Sequence, residues 1–144
     1  MMSENEKTMP EGCALLKGVS VVDERGMLTF VEGRSLPFAV KRMFWITSVP
    51  EGKTRGGHAH KTCSEVVFAV SGSFCMHLSD GKNQADFKIS SPGEGVVVPA
   101  GVWCDLSEFS ADCVCVVVAS QAYDPKGYIN SYEAYLGYRK ESVL

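Results

Sequence analysis

The feature that most limits what this chain can become is a succession of short alternating runs, each closed by Gly, Pro or an Asp-Gly pair. Across residues 73–78, Phe74, Met76 and Leu78 alternate with Ser73, Cys75 and His77, so every second side chain faces the same way, as along a strand. Residues 14–22, 27–31, 40–49, 65–70, 85–90 and 96–98 are likewise rich in β-branched, aromatic or alternating apolar positions. Turn chemistry separates them at Asp23-Glu24-Arg25-Gly26, Glu32-Gly33-Arg34, Pro50, Gly72-Ser73, Asp80-Gly81 and Ser91-Pro92-Gly93. Residues 51–57 are Gly-rich and basic and read as a loop. Residues 112–119 (DCVCVVVA) form a continuous apolar run suited to a strand covered on both faces. Helical spacing of apolar residues occurs only at the end, over residues 128–138, and predicts a short C-terminal helix. Eight to ten closely spaced strands predict an all-β sandwich or barrel.

The 144 residues suffice for one domain with a substantial core. The expected division is a flexible polar segment over 1–12 and a single domain over 13–140. A net charge of −3 gives no global attraction for nucleic acid or anionic membranes, so an anionic ligand has to be held by local Arg and Lys. The opening MMSENEKTMPEG lacks the apolar stretch of a secretory leader, and no run of about 18 apolar residues follows, so a cytoplasmic address is expected. The six cysteines show no spacing of a disulfide scaffold and read as small buried hydrophobes, with Cys104 a separate case.

The decisive stretch is Gly52-Lys53-Thr54-Arg55-Gly56-Gly57-His58-Ala59-His60, continuing to Glu65 and Gly72. Residues two apart on a strand share a face, so His58 and His60 are expected to project together. Gly93, Pro99-x-Gly101 and Cys104 follow downstream. The first set resembles the first cupin signature at every fixed position. The second resembles the second signature except at its end, where Cys104 stands for a His. The implied fold is the cupin double-stranded β-helix, a jelly roll. Two chemical readings stay open. His58, His60, Glu65 and Cys104 are ligand types that suit a transition metal such as zinc or iron. In a metal-free pocket, one imidazole would serve as general base, because its ordinary pKa of about 6.5 leaves it largely neutral at pH 7.

With its flanks, the histidine segment resembles the sugar 3,4-ketoisomerase family. The resemblance rests on KRMFWITSVPEGKTRGGHAHK (41–61), VSGSF, LSDG, SPGEGVVVPAGVW and ASQAYDPKGYINSYEAYL, and runs from about residue 16 to residue 136. It implies an isomerase of deoxysugar and surface-polysaccharide biosynthesis, acting on a dTDP-4-keto-6-deoxyhexose without a cofactor. It also implies a homodimer, often with exchanged N-terminal strands. His58 and His60 would carry a proton between C3 and C4, and Arg25, Arg42 and Arg55 would grip the diphosphate or sugar, aided by Phe44, Trp103 and Tyr123. The chemistry is coherent. Moving a carbonyl from C4 to C3 removes a C3 proton acidified by the ketone, passes through an enediol and reprotonates C4, with cationic donors steadying the oxyanion.

The sequence departs from that pattern at three places. Phe44 stands where a pocket tyrosine is usual, Glu65 where Gln is usual, and Cys104 where a His follows the Trp. Loss of a positioned hydroxyl can slow proton transfer by about 10²-fold or more. Glu65 and Cys104 instead restore metal-ligand types, which keeps a metal-dependent cupin as an alternative. A sugar-nucleotide binding module without turnover is a third. Tyr123, Tyr128, Tyr132 and Tyr135 are expected to pack onto the barrel as core, Tyr123 being the nearest to a pocket role. His77 is expected to be structural or exposed.

Overall fold

A computed structural model describes residues 9–142. The flexible segment expected over 1–12 therefore falls mainly outside the described residues, but Met9 and Pro10 within it are buried. Met9 packs into the main core.

The alternating runs become strands. Residues 14–22 form two, β1 (Ala14–Lys17) and β2 (Val19–Asp23), interrupted at Gly18. β3 (Gly26–Phe30) returns along β2 through the turn at Glu24 and Arg25. Then follow β4 (Arg42–Thr47), β5 (Arg55–His60), β6 (Glu65–Ser71), β7 (Phe74–Ser79), β8 (Gln84–Ile89), β9 (Glu94–Val98), β10 (Trp103–Ser107) and β11 (Val114–Ala119). A 3₁₀ turn at Pro125–Gly127 leads into β12 (Tyr128–Ile129) and the helix α1 (Tyr132–Ser142).

Two antiparallel five-stranded sheets result, ordered β1-β9-β6-β11-β4 and β12-β5-β10-β7-β8. They face one another across the main core. Phe74, Met76 and Leu78 of β7 and Ala85, Phe87 and Ile89 of β8 pack there against Val67, Ala69, Val96, Val98, Cys115 and Val117 of the first sheet. Full burial of one such side chain contributes roughly 1.5–3 kcal/mol, so this layer dominates the stability of the sandwich. The first sheet is also covered outside, where Leu16, Val66, Phe68 and Val118 meet Val31, Leu36 and Phe38. This second cover is why β6 and β11 are apolar runs rather than alternations. On Gly95 a Cβ would lie 2.5 Å from the Phe68 ring, so that ring requires a glycine beneath it.

α1 covers the outside of the second sheet. Tyr135 is fully buried with Ala59, Trp103 and Ile129, and its hydroxyl donates to the Gly101 carbonyl at 2.6 Å. The helix starts later than the aromatic spacing predicts. The Ser131 hydroxyl accepts from the Ala134 backbone at 3.2 Å, an N-cap contact that sets the start at Tyr132. Asp124 accepts from the Lys126 backbone at 3.0 Å and holds the preceding turn, which leaves Tyr128 in a strand. No described helix is long and apolar enough to cross a membrane.

The fold matches the expected all-β jelly roll with its C-terminal helix. The β2–β3 ribbon stands apart from both sheets, and Val19, Val21, Val22, Met27 and Leu28 on it are exposed.

Candidate active site

The site begins with an irregularity in β5. Residues 55–57, expected as loop, are the first half of the strand, and Gly56 and Gly57 have φ of 78° and 73°. A Cβ on Gly56 would come within 2.8 Å of the Cys104 carbonyl, so the close approach of β10 needs glycine there. The register shifts between Cys104 and Asp105 beside it, a bulge of the kind that re-aims neighbouring side chains. Beyond it the strand is regular. Ala59 faces α1 opposite Trp103, while His58 and His60 face the interior between the sheets.

The two imidazoles meet nearly edge to face, with centroids 4.9 Å apart. His60 is buried and His58 half-buried. Burial lowers the His58 pKa below its ordinary 6.5, and the neighbouring His60 lowers it further. His58 is therefore a neutral base at pH 7. From the opposite sheet Glu65, also buried, brings Oε1 to 3.4 Å from His60 Nε2. The pair lacks hydrogen-bond alignment, and this buried nitrogen has no hydrogen-bond partner among the described residues. A buried polar atom left open in this way is the mark of a place reserved for a ligand or solvent.

Tyr128 completes the cluster. It lies opposite His60 in the β12–β5 pairing, and its ring sits 4.4 Å from His60 and 4.9 Å from His58. Its hydroxyl accepts from Arg42 Nη1 at 3.3 Å. The Arg42 guanidinium lies over Phe44 at 5.4 Å and over Tyr123 at 5.7 Å, cation–π distances that hold it at the mouth of the site. Arg42 Nε is a second buried atom without a hydrogen-bond partner among the described residues. A small cavity of about 30 Å³ lies among Arg42, His60, Cys63, Gln121 and Tyr128. Larger open grooves, of about 570 Å³ beside Asp80 and Arg139 and about 430 Å³ beside Arg55, contain no histidine.

The expected residues thus divide. His58, His60, Glu65, Arg42, Phe44 and Tyr123 come together. Arg55, at the other end of β5, is exposed and lines the groove with Trp45 and Lys53. Arg25 is 83% exposed in the ribbon turn and is paired with Asp23 at 2.6 Å. Trp103 is buried on the far side of the sheet beneath α1, and its Nε1 donates to Asp105 at 2.7 Å. His77 is partnered on the outer face, Nδ1 lying 2.9 Å from Asp86.

His58, His60 and Glu65 are the described residues whose donor atoms, within 4.8 Å of one another, could hold a metal ion. Cys104 does not join them. It faces the core beside Val117 and Cys115, where burial, with the Glu65 charge, pushes its thiol well above the ordinary range. Tyr128 is the residue that sequence reasoning assigned to the core. The signal that could have separated it is Ser131, which caps the helix three residues later.

Comparison with known proteins agrees with this architecture. Residues 11–140 match the family model described as FdtA, WxcM-like, C-terminal. A TDP-4-oxo-6-deoxy-alpha-D-glucose-3,4-oxoisomerase of Aneurinibacillus thermoaerophilus is 35% identical over 119 residues, 82% of this chain and 86% of that one. The QdtA 3,4-ketoisomerase of Thermoanaerobacterium thermosaccharolyticum, solved with TDP, superposes with a TM-score of 0.89 at 33% identity, covering 94% of this chain and all of its own. The WlaRB TDP-quinovose 3,4-ketoisomerase of Campylobacter jejuni gives 0.84 at 32% identity, covering 89% and 99%. This jelly roll, with its inward histidine pair, belongs to the sugar 3,4-ketoisomerase family.

Proposed function

We propose that the chain isomerises a dTDP-4-keto-6-deoxyhexose, moving the keto group from C4 to C3 by histidine-mediated proton transfer in deoxysugar biosynthesis. The observation that carries the reading is the His60 Nε2 atom, buried and without a hydrogen-bond partner among the described residues, beside a neutral His58 on the inner wall of the barrel. One imidazole takes the C3 proton and the pair returns a proton to C4. Arg42, with Phe44 and Tyr123, would receive the sugar or its diphosphate, since a guanidinium suits phosphate and developing oxyanions. Within one chain, Trp103 and Arg25 lie apart from this cluster. The relatives support the substrate class, one being named for TDP-4-oxo-6-deoxyglucose and another solved with TDP-4-keto-6-deoxyglucose. A cytoplasmic address belongs to this reading, because a charged nucleotide sugar does not cross a bilayer unaided.

The same reading includes a homodimer. The apolar faces of the β2–β3 ribbon, together with Met43 and Trp45 on the edge strand β4, remain exposed in one chain and suit burial against a second copy, with the N-terminal strands exchanged.

The activity is tested by incubating purified protein with dTDP-4-keto-6-deoxyglucose and following the sugar by proton NMR. Formation of the 3-keto isomer supports the reading, and an unchanged substrate spectrum rejects it for this substrate. A second reading, a metal-dependent cupin, is favoured by the closeness of His58, His60 and Glu65. Near-stoichiometric iron, zinc or manganese in protein purified without added metal would support it.

A further inference from the structure

The isomerisation moves two protons, and the histidines account for one. Converting a 3-hydroxy-4-ketone into a 3-keto-4-alcohol breaks C3–H and forms C4–H. It also breaks O3–H and forms O4–H. C3 is oxidised as C4 is reduced, so no outside oxidant enters. The second proton travels between oxygens and needs a group that can give one while taking another.

We propose that Tyr128 is that group, a catalytic residue whose phenol donates its proton to O4 as the enediolate forms and recovers one from O3 as the new carbonyl closes. The phenol ends as it began, and the account balances. This inference rests on the isomerase reading above.

Four observations carry it. The Tyr128 ring packs beside both imidazoles, with centroids 4.9 and 4.4 Å away, and Tyr128 lines the small cavity with His60 and Arg42. Its oxygen accepts from Arg42 at 3.3 Å, and no acceptor among the described residues takes its own hydrogen. A donor held by its oxygen with a free hydrogen is oriented for an incoming substrate. The Arg42 guanidinium, always charged, also steadies the phenol oxygen while its proton is on loan. Finally, Arg42 and the other rings packed against it offer no better relay. Phe44 has no hydroxyl, Arg42 does not give up its proton, and Tyr123 is 66% exposed with its ring 5.8 Å from that of Tyr128. Tyr128 thus supplies from the C-terminal segment the hydroxyl that β4 lacks at Phe44.

The test is Tyr128→Phe, assayed in D₂O with dTDP-4-keto-6-deoxyglucose, following both loss of the C3 proton signal and appearance of the 3-keto product. The account predicts that product formation falls about 100-fold, within the range for a positioned acid–base group, while KM moves less than about threefold. C3 exchange falls far less, because the histidines still remove that proton and the stalled enediolate returns to substrate. Unchanged circular dichroism and TDP binding confirm the fold. Product formation within about threefold of wild type would overturn the role. So would exchange and product falling in parallel, the result of a ring that only positions the histidines. A wild-type protein that makes no product would reject the isomerase reading itself, whereas an active Tyr128→Phe variant leaves that reading standing and removes only Tyr128.

Discussion

His60 Nε2 and Glu65 Oε1 face each other across the two sheets at 3.4 Å, both side chains buried, without the alignment of a hydrogen bond. The field of the carboxylate raises the His58 pKa against the larger lowering by burial and His60. The sum is a His58 pKa below 6.5. A base must be neutral to act, so kcat/KM should hold above half its plateau at pH 6.5 and fall only at lower pH. In Glu65→Gln the opposing field is gone, and the acid limb should move to still lower pH. A pH–rate profile of both proteins checks this. An acid limb above 6.5 in the wild type, or one that rises in Glu65→Gln, would contradict it.

Tyr135 anchors α1 to the second sheet through its hydroxyl, which reaches the carbonyls of Gly101 and Ser79 at 2.6 and 3.1 Å. Tyr135→Phe leaves those buried acceptors short and should destabilise the protein by about 1–3 kcal/mol. Urea denaturation measures the loss. The folded variant should keep its activity, because Tyr135 packs from α1 onto the opposite face of the sheet from the histidines.

Thiol reactivity should follow burial. The Cys104 pKa is raised well above its ordinary value, and those of Cys13 and Cys115 are pushed to about 12, in each case chiefly by burial. The nucleophile is the thiolate, so at pH 8 iodoacetamide should leave all three unmodified in the native protein and label them after unfolding. Peptide mass spectrometry reads the result. Cys104→Val should fold and isomerise with activity within about threefold of wild type, as a near-isosteric change in an apolar core. Loss of bound metal in that variant would instead favour a thiolate ligand.

The exposed apolar ribbon predicts self-association. Leu28→Glu combined with Val22→Glu places charge on residues that are 60% and 73% exposed in one chain, so the isolated fold should survive. Sedimentation velocity should show a dimer for the wild type and a shift toward monomer for the variant. A wild-type monomer would contradict the proposed assembly.

The parts of the fold carried by local pattern were legible in the residues. The alternation in residues 73–78 and the apolar run at 112–119 correspond to β7 and to a β11 that lies between two neighbours in its sheet. The shared face of His58 and His60 followed from strand parity alone. The same parity separates Trp103 from Cys104, but residues 103–107 carry no strong strand signal, and only the family resemblance puts Trp103 in the pocket. The start of β5 reads as loop because glycines suit a loop and a bulge alike, and here they take positive φ in a bulge. Glu65 meeting His60, and Tyr128 meeting both histidines, depend on pairings between distant segments, which no local period encodes.

The central claim is that the paired imidazoles move the carbon-bound proton. His58→Asn and His60→Asn, each checked for fold by circular dichroism and for TDP binding by calorimetry, should be compared with wild type for the rate at which the C3 proton signal of dTDP-4-keto-6-deoxyglucose disappears. The account predicts that binding persists while that rate falls about 100-fold or more in each variant. A histidine variant that still removes the C3 proton within about threefold of the wild-type rate would contradict it.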